Sequence, residues 1–268
     1  MDTYLSSFSC LFKESIPHED NTSETKYMKK VLVITSGGLD SAVLLHHHVN
    51  GGDWVRALAI DYGQRHKCEL QCAEIQAFNL SVPFAVAHLP SLASIIPGSS
   101  QTSDVPVPEG HYTAENMKAT VVPNRNMILL AVAIGHAIAT EVEFVSYAAH
   151  SGDHAIYPDC RPEFADAMDA VAKVCHETPL GLLRPFIRKT KAEIVTYGSE
   201  LNVDFAQTYS CYQGKPGVHC GRCGTCCERA ESFQVAGVPD PTVYTDPDYF
   251  RQVMAEHLRL GKLPTPGQ

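Results

Sequence analysis

The chain has 268 residues, 44% hydrophobic and 19% charged, which is material for a full core in one large α/β domain or one domain with a small appendage. The formal net charge of −9 counts against nonspecific binding to nucleic-acid phosphates. No run of about 18 apolar residues occurs, so no membrane span is expected, and the longest apolar stretch, Met127 to Ala139, reads as a buried helix that includes Gly135 and His136.

Residues 1–27 are polar and irregular, and acidic enough to argue against a transit peptide. They are expected to be a disordered extension or extra leader, with Met28-Lys29-Lys30 resembling a start just before the first strand. Val31 to Ile34 reads as that strand, Ser36-Gly37-Gly38-Leu39-Asp40-Ser41 as a tight loop, and Ala42 onward as a helix. Two glycines permit close backbone approach, two serines bring hydroxyls, and N–H groups converge at a helix start, so the loop suits phosphate. It resembles the PP-loop, SGGxDS, of ATP pyrophosphatases, and the chain has no Walker A sequence. The resemblance implies AMP transfer rather than γ-phosphoryl transfer.

His46, His47 and His48 follow within the same helix, about 100° apart, too divergent to grip one metal. Val55 to Ile60 is a second strand ending in Asp61-Tyr62-Gly63-Gln64-Arg65-His66, at the carboxyl edge where open parallel sheets bind ligands. A helix is expected from His66 to Phe78, with Cys68 and Cys72 as core thiols, and a third strand over Val82 to His88. Residues 90–120 contain Pro97, Gly98, Pro106, Pro108 and Gly110 and read equally as a lid or as a solvent loop.

Val121 to Asn126 opens the next helix, where Pro123 and Asn124 suit capping. Arg125 opposes the helix dipole there and is expected to answer an anion. Glu143 to Ala148 is a fourth strand, leading to His150, Asp153 and His154 at the carboxyl edge as polar contacts to a ligand. In Tyr157-Pro158-Asp159-Cys160-Arg161-Pro162, Asp159 is expected to cap the helix that begins near Pro162. Asp159 and Arg161 also offer opposite charges to a polar heterocycle. Arg184 to Phe186 reads as extended, a helix follows from about Lys191, and Lys189 or Lys191 is a candidate contact to ATP phosphates. Asp246 to Leu260 reads as an amphipathic helix followed by a loose tail.

Ten cysteines are present, and five of them cluster between Cys211 and Cys227. The spacing Cys211-x8-Cys220-x2-Cys223-x2-Cys226 suits tetrahedral Zn2+ in a reducing compartment, with Cys227 as the spare and an Fe–S cluster as the lesser alternative. Four protein ligands leave no open position, so the site is expected to be structural.

Taken together, the PP-loop, Asp61 to His66, Pro123 to Asn126, Tyr157 to Phe164, Lys191 to Ile194 and Ser210-Cys211-Tyr212 with the trailing cysteines resemble the QueC family of 7-cyano-7-deazaguanine synthases, over roughly Met28 to Val238. The resemblance implies an α/β fold with a Rossmann-like parallel sheet flanked by helices, of the adenine nucleotide alpha hydrolase type. The expected layout is a nucleotide-binding domain over 28–208, a zinc-binding element over 209–240 and a C-terminal helix and tail over 241–268. It implies that the carboxylate of 7-carboxy-7-deazaguanine is adenylated by ATP with Mg2+, that ammonia converts it to the amide, and that a second activation yields the nitrile preQ0 for queuosine biosynthesis. Thr35, Ser36, Gly37, Gly38, Leu39, Asp40, Ser41, Asp61 and Tyr62 would bind ATP. Arg125, Asp153, Tyr157, Asp159 and Arg161 would bind the deazaguanine acid. Asp40, Arg125, Arg161 and Lys191 are the catalytic candidates, and Cys211, Cys220, Cys223 and Cys226 match the family's zinc ligands. The family further implies a cytoplasmic homodimer with no direct nucleic-acid contact. The alternatives at this stage are a related ligase that joins the activated acid to a macromolecular amine, and a non-enzymatic zinc-knuckle module.

Overall fold

Five short parallel strands form one sheet in the order β3-β2-β1-β4-β5 in this computed structural model, which describes residues 28–111, 116–154 and 157–260. The expectations for residues 1–27 and for the tail beyond 260 lie outside these. In chain order the elements are β1 (Lys30–Ile34), α1 (Leu39–Asn50), β2 (Trp54–Asp61), α2 (Cys68–Asn79), β3 (Phe84–His88) and the single turn α3 (Leu92–Ile95). Then come α4 (Arg125–Ala139), β4 (Phe144–Ser146), α5 (Pro162–Val174), β5 (Gly181–Leu183), α6 (Lys191–Glu200), α7 (Gly224–Ala236) and α8 (Pro247–Arg259).

Central β1 is buried on both faces, and its alternation decides what packs where. Val31 and Val33 face a core with α1, α6 and α7 that includes Leu44, Ile194, Phe205 and Phe233. Leu32 faces the other way, with Leu58 and Ile60 of β2, onto Leu130 and Ala133 of α4 and Met168 of α5. Successive strand residues point to opposite faces, so a sheet covered by helices on both sides reads as a continuous apolar run. The strand order reverses between β1 and β4, where Val33 pairs with both Ala57 and Ser146. A crevice opens at that switch point beyond the carboxyl ends. The PP-loop after β1 and the segment after β4 form its two lips.

Several boundaries differ from the sequence reading. β4 stops at Ser146, and the chain leaves the sheet at Tyr147 to border the crevice. β5 was not foreseen, because three residues are too few to show a period. The expected extended piece at Arg184 instead begins a turn, since Pro185 has no N–H to continue the ladder. α7 was hidden by the metal-like cysteine pattern at its start. Asn124 does not cap α4 with its side chain: it is left-handed, at φ 58°. Asp159 does that work, its Oδ2 accepting the Asn126 N–H at 3.0 Å. It therefore caps α4 rather than α5, whose flanking Arg161 makes no side-chain cap. The apolar run in α4 amounts to 15 helical residues, about 22 Å at 1.5 Å per residue, short of a hydrocarbon core.

Candidate functional site

The crevice holds a cavity of about 260 Å3 lined from both lips, from α2, from α4 and from the cysteine-rich segment. Its floor is the PP-loop. Ser36 N–H donates to Ser41 Oγ at 3.1 Å, the two serine hydroxyls lie 3.2 Å apart, and Gly38 N–H donates to Ser36 Oγ at 3.3 Å. Gly38 precedes α1 without any side-chain cap, which leaves first-turn N–H groups for an anion. Gly37 sits at φ +82°, and a Cβ there would lie 2.0 Å from the Glu69 carbonyl oxygen. Only glycine lets α2 approach this closely.

One end of the cavity is charged. Lys191, at the start of α6, places Nζ 2.7 Å from Glu228 Oε2 and 3.5 Å from Asp40 Oδ2. His150 Nε2 lies 3.8 Å from Asp40 Oδ2 and 3.5 Å from Asp153 Oδ2. The Gly152 N–H donates to His150 Nδ1 at 3.1 Å, which assigns the ring proton to Nε2, facing the acids. Burial works against the Asp40 charge, but Lys191 and His150 outweigh it and hold the carboxyl below its ordinary range. Burial likewise opposes the Lys191 charge, and Asp40 and Glu228 hold that ammonium above its ordinary range. Asp40 Oδ1 is buried with no hydrogen-bond partner. Asp153 is pushed up by burial, against the pull of His150.

The other end is aromatic. Tyr62, Tyr157 and Tyr212 line it together with Arg125, Glu69, Gln101 and Met117. Tyr62 donates to Gln101 Oε1 at 3.3 Å, Arg125 Nη1 reaches the same oxygen at 3.3 Å, and the Tyr157 hydroxyl meets Thr120 Oγ1 at 2.5 Å. Tyr212 stacks on His66, with ring centroids 6.1 Å apart. Burial pushes the Glu69 carboxyl up to about 8, against the opposing pull of Arg125. Ile34, Ile60, Leu129 and Tyr147 add apolar wall.

Asp40, Arg125, Asp153, Tyr157 and Lys191 thus meet in one cavity, with Tyr62 and the PP-loop residues Thr35, Ser36, Gly38, Leu39 and Ser41. Several sequence candidates stand elsewhere. Asp61 alternates with Ile60 and Tyr62, so its side chain leaves the cavity, accepting from the Gly63 N–H at 3.1 Å and pairing with Lys67 at 3.1 Å. Asp159 is committed to the start of α4, and exposed Arg161 donates from Nε to the His154 carbonyl at 2.8 Å. Lys189 lies over the Tyr197 ring, away from the cavity, 5.8 Å from its centroid. Glu69, Gln101 and Glu228 went unnoticed in the sequence, since they belong to the first turn of a helix, an irregular loop and an unforeseen helix. The loop reading of 90–120 resolves toward a cover, because Gln101 and Met117 line the cavity and Arg65 Nη1 reaches the carbonyls of Ser100, Ser103 and Val105 at 3.2–3.4 Å.

Beside the aromatic end, the sulfurs of Cys211, Cys220, Cys223 and Cys226 all lie within 4.8 Å of one another. Neighbouring pairs are 4.0, 3.8 and 3.5 Å apart, close to the roughly 3.8 Å edge of a tetrahedron with 2.3 Å metal–sulfur bonds. N–H groups of Gln213, Gly214 and Cys220 donate to Cys211 Sγ, and those of Arg222 and Cys223 to Cys220 Sγ. Such donors favour thiolates, so the four residues suit a tetrahedral metal ion. Cys227 stands outside the group, its Sγ near the Arg222 carbonyl. Fully buried Arg229 of α7 ties this segment to the core, donating to Thr208 Oγ1 at 2.8 Å, the Phe205 carbonyl at 2.9 Å and Thr242 Oγ1 at 2.7 Å.

A parallel sheet with an SGGxDS loop at its switch point, facing a charged cavity, defines a PP-loop, ATP-using α/β enzyme. Residues 30–237 match the family described as queuosine biosynthesis protein QueC, and the chain belongs to that family. It is 47% identical over 232 residues to the 7-cyano-7-deazaguanine synthase of Paracoccus denitrificans, covering 86% of this chain and 99% of that protein. It is 50% identical over 214 residues to the protein of the same name from Marinobacter nauticus, covering 80% and 96%. Among solved structures, the NH3-dependent NAD synthetase from Campylobacter jejuni aligns at 16% identity with a TM-score of 0.42, covering 90% of each chain. The fold assignment rests on the sheet order and the loop, not on that likeness.

Proposed function

We propose that the chain is a 7-cyano-7-deazaguanine synthase, converting 7-carboxy-7-deazaguanine, ammonia and ATP into the nitrile through adenylated acid and amide. The observation that carries this is the union of a PP-loop floor, a charged end and an aromatic end with a buried arginine in one cavity. The PP-loop hydroxyls and first-turn N–H groups of α1 hold the pyrophosphate portion of ATP, and the apolar wall of Ile34, Ile60 and Leu129 takes the adenine. Arg125 receives the substrate carboxylate, and the tyrosines stack on the planar heterocycle.

A carboxylate oxygen attacks the α-phosphorus and releases pyrophosphate. Lys191 stands where charge builds on the transferring group and stabilises it there. Ammonia then attacks the acyl carbon, AMP departs with one carboxylate oxygen, and the amide remains. The amide oxygen attacks the α-phosphorus of a second ATP and releases pyrophosphate, and loss of that AMP with both amide protons gives the nitrile. Asp40, with its orphaned Oδ1, fits Mg2+ together with Asp153 and Glu228; when bound, the ion neutralises the leaving pyrophosphate. The cysteine tetrad fits structural Zn2+, with the thiols available in a reducing cytoplasm. We also propose a homodimer, because Met127 of α4 and Val171 and Val174 of α5 leave apolar surface exposed.

The test is mass spectrometry of purified protein with ATP, Mg2+, ammonium and the acid. The amide and then the nitrile are expected, with AMP. Absence of both AMP and product from metal-loaded protein contradicts the reading.

A further inference from the structure

Four carboxylates line the cavity, and three of them have partners at its charged end. Asp40 and Glu228 answer Lys191, and Asp153 answers His150. The fourth, Glu69 in the first turn of α2, makes no hydrogen bond or ion pair among the described residues. It faces the aromatic end, where Arg125 is its nearest source of opposing charge. Glu69 is half-buried and lines the cavity with its carboxyl unpaired, so its oxygens stand open to a donor brought by a ligand. The deazaguanine ring carries two adjacent donors, the ring N1–H and the exocyclic 2-amino group, spaced to fit the two oxygens of one carboxylate. Asp159, the sequence candidate for this contact, already accepts the Asn126 N–H and does not line the cavity.

We propose that Glu69 is the specificity residue that reads the N1–H and 2-amino edge of the deazapurine, a role that rests on the substrate reading above. Arg125 and Glu69 then hold opposite ends of one planar molecule, the carboxylate and the amino-lactam edge, while Tyr62 and Tyr212 bound its faces. A purine lacking the 2-amino group leaves one oxygen of Glu69 unpaired and is rejected.

The test compares 7-carboxy-7-deazaguanine with its 2-desamino analogue in the wild-type enzyme and in Glu69→Gln and Glu69→Asp. Wild type is expected to disfavour the analogue by about 10- to 100-fold in kcat/KM, the range for one hydrogen bond to a charged group. Glu69→Gln presents an amide N–H2 where a second acceptor is needed, and its ratio is expected to fall to within about three-fold, as loss of that bond requires. ATP affinity and thermal melting of the variants are expected to stay at wild-type values, and Glu69→Asp keeps part of the discrimination. Unchanged discrimination in a folded Glu69→Gln overturns the role of Glu69 and leaves the substrate reading standing. A raised KM for ammonium with unchanged discrimination assigns Glu69 to the nucleophile and overturns the proposal as well. A wild-type enzyme inactive on the acid overturns the substrate reading itself.

Discussion

At the scale of single residues, the site is a set of charges that make sense only together. Lys191 sits between Asp40 and Glu228, and in the proposed reaction its cation faces the transferring phosphoryl group. Lys191→Gln is expected to lower kcat/KM by about 100- to 1,000-fold with little change in circular dichroism, and a loss below ten-fold in steady-state kinetics contradicts that role. The lysine is placed by the capping box of α6. The Thr190 N–H and hydroxyl donate to Glu193 Oε2 at 2.7 and 2.9 Å, and Thr190 Oγ1 accepts the Glu193 N–H at 3.2 Å. Those hydrogen bonds from Thr190 hold the Glu193 carboxyl below its ordinary value of 4.5. The folded value is the lower one, so this stabilisation is complete above that pH and is lost as acidification passes the folded value. Melting temperatures measured between about pH 6 and about pH 3 are expected to fall further for wild type than for Glu193→Gln; equal falls contradict the linkage. The sequence showed Arg125 and Lys191 because each puts a cation at a helix start, against the dipole, and Asp40 because it belongs to the SGGxDS loop. Glu69 breaks none, since an acid in the first turn of a helix is ordinary. Asp61 misled because its neighbours on β2 face the cavity and it does not.

At the scale of elements, the cysteine-rich segment is a wall of the cavity as well as a knot of four cysteines that suits a metal ion. Tyr209, Ser210 and Tyr212 line the cavity immediately beside Cys211. The 90–120 loop is docked on the same knot: Gly110 N–H donates to the Arg222 carbonyl at 2.8 Å, Gln213 Nε2 to the Val107 carbonyl at 2.9 Å, and Arg222 pairs with Glu109. Metal removal with a chelator is therefore expected to open the chain at Arg222 to trypsin and to weaken ATP binding, while the sheet core stays folded. Unchanged cleavage rates after confirmed metal loss contradict this coupling. The four cysteines that meet in space were legible from spacing alone. The helix that carries Cys226, Glu228 and Arg229 was not, because its apolar face is interrupted by charged and polar residues that are buried against partners rather than exposed.

At the scale of the whole molecule, the strand order creates a crevice at β1 and β4, and the chain fills its rim with a phosphate loop, a charged cluster and a group of tyrosines. The unbroken apolar run of Val31, Leu32 and Val33, buried on both faces, made the central strand legible. The place where distant rim segments converge was not, since β5 and the cover loop carry no period. In the proposed reaction one enzyme activates the same carbon twice, each time through an oxygen that leaves in AMP. The most direct measurement supplies 7-carboxy-7-deazaguanine labelled with oxygen-18 in both carboxylate oxygens and follows AMP and the deazaguanine products by mass spectrometry. The account expects the amide to retain one label, the nitrile none, and two labelled AMP molecules per nitrile. Unlabelled AMP, or label in pyrophosphate, contradicts it.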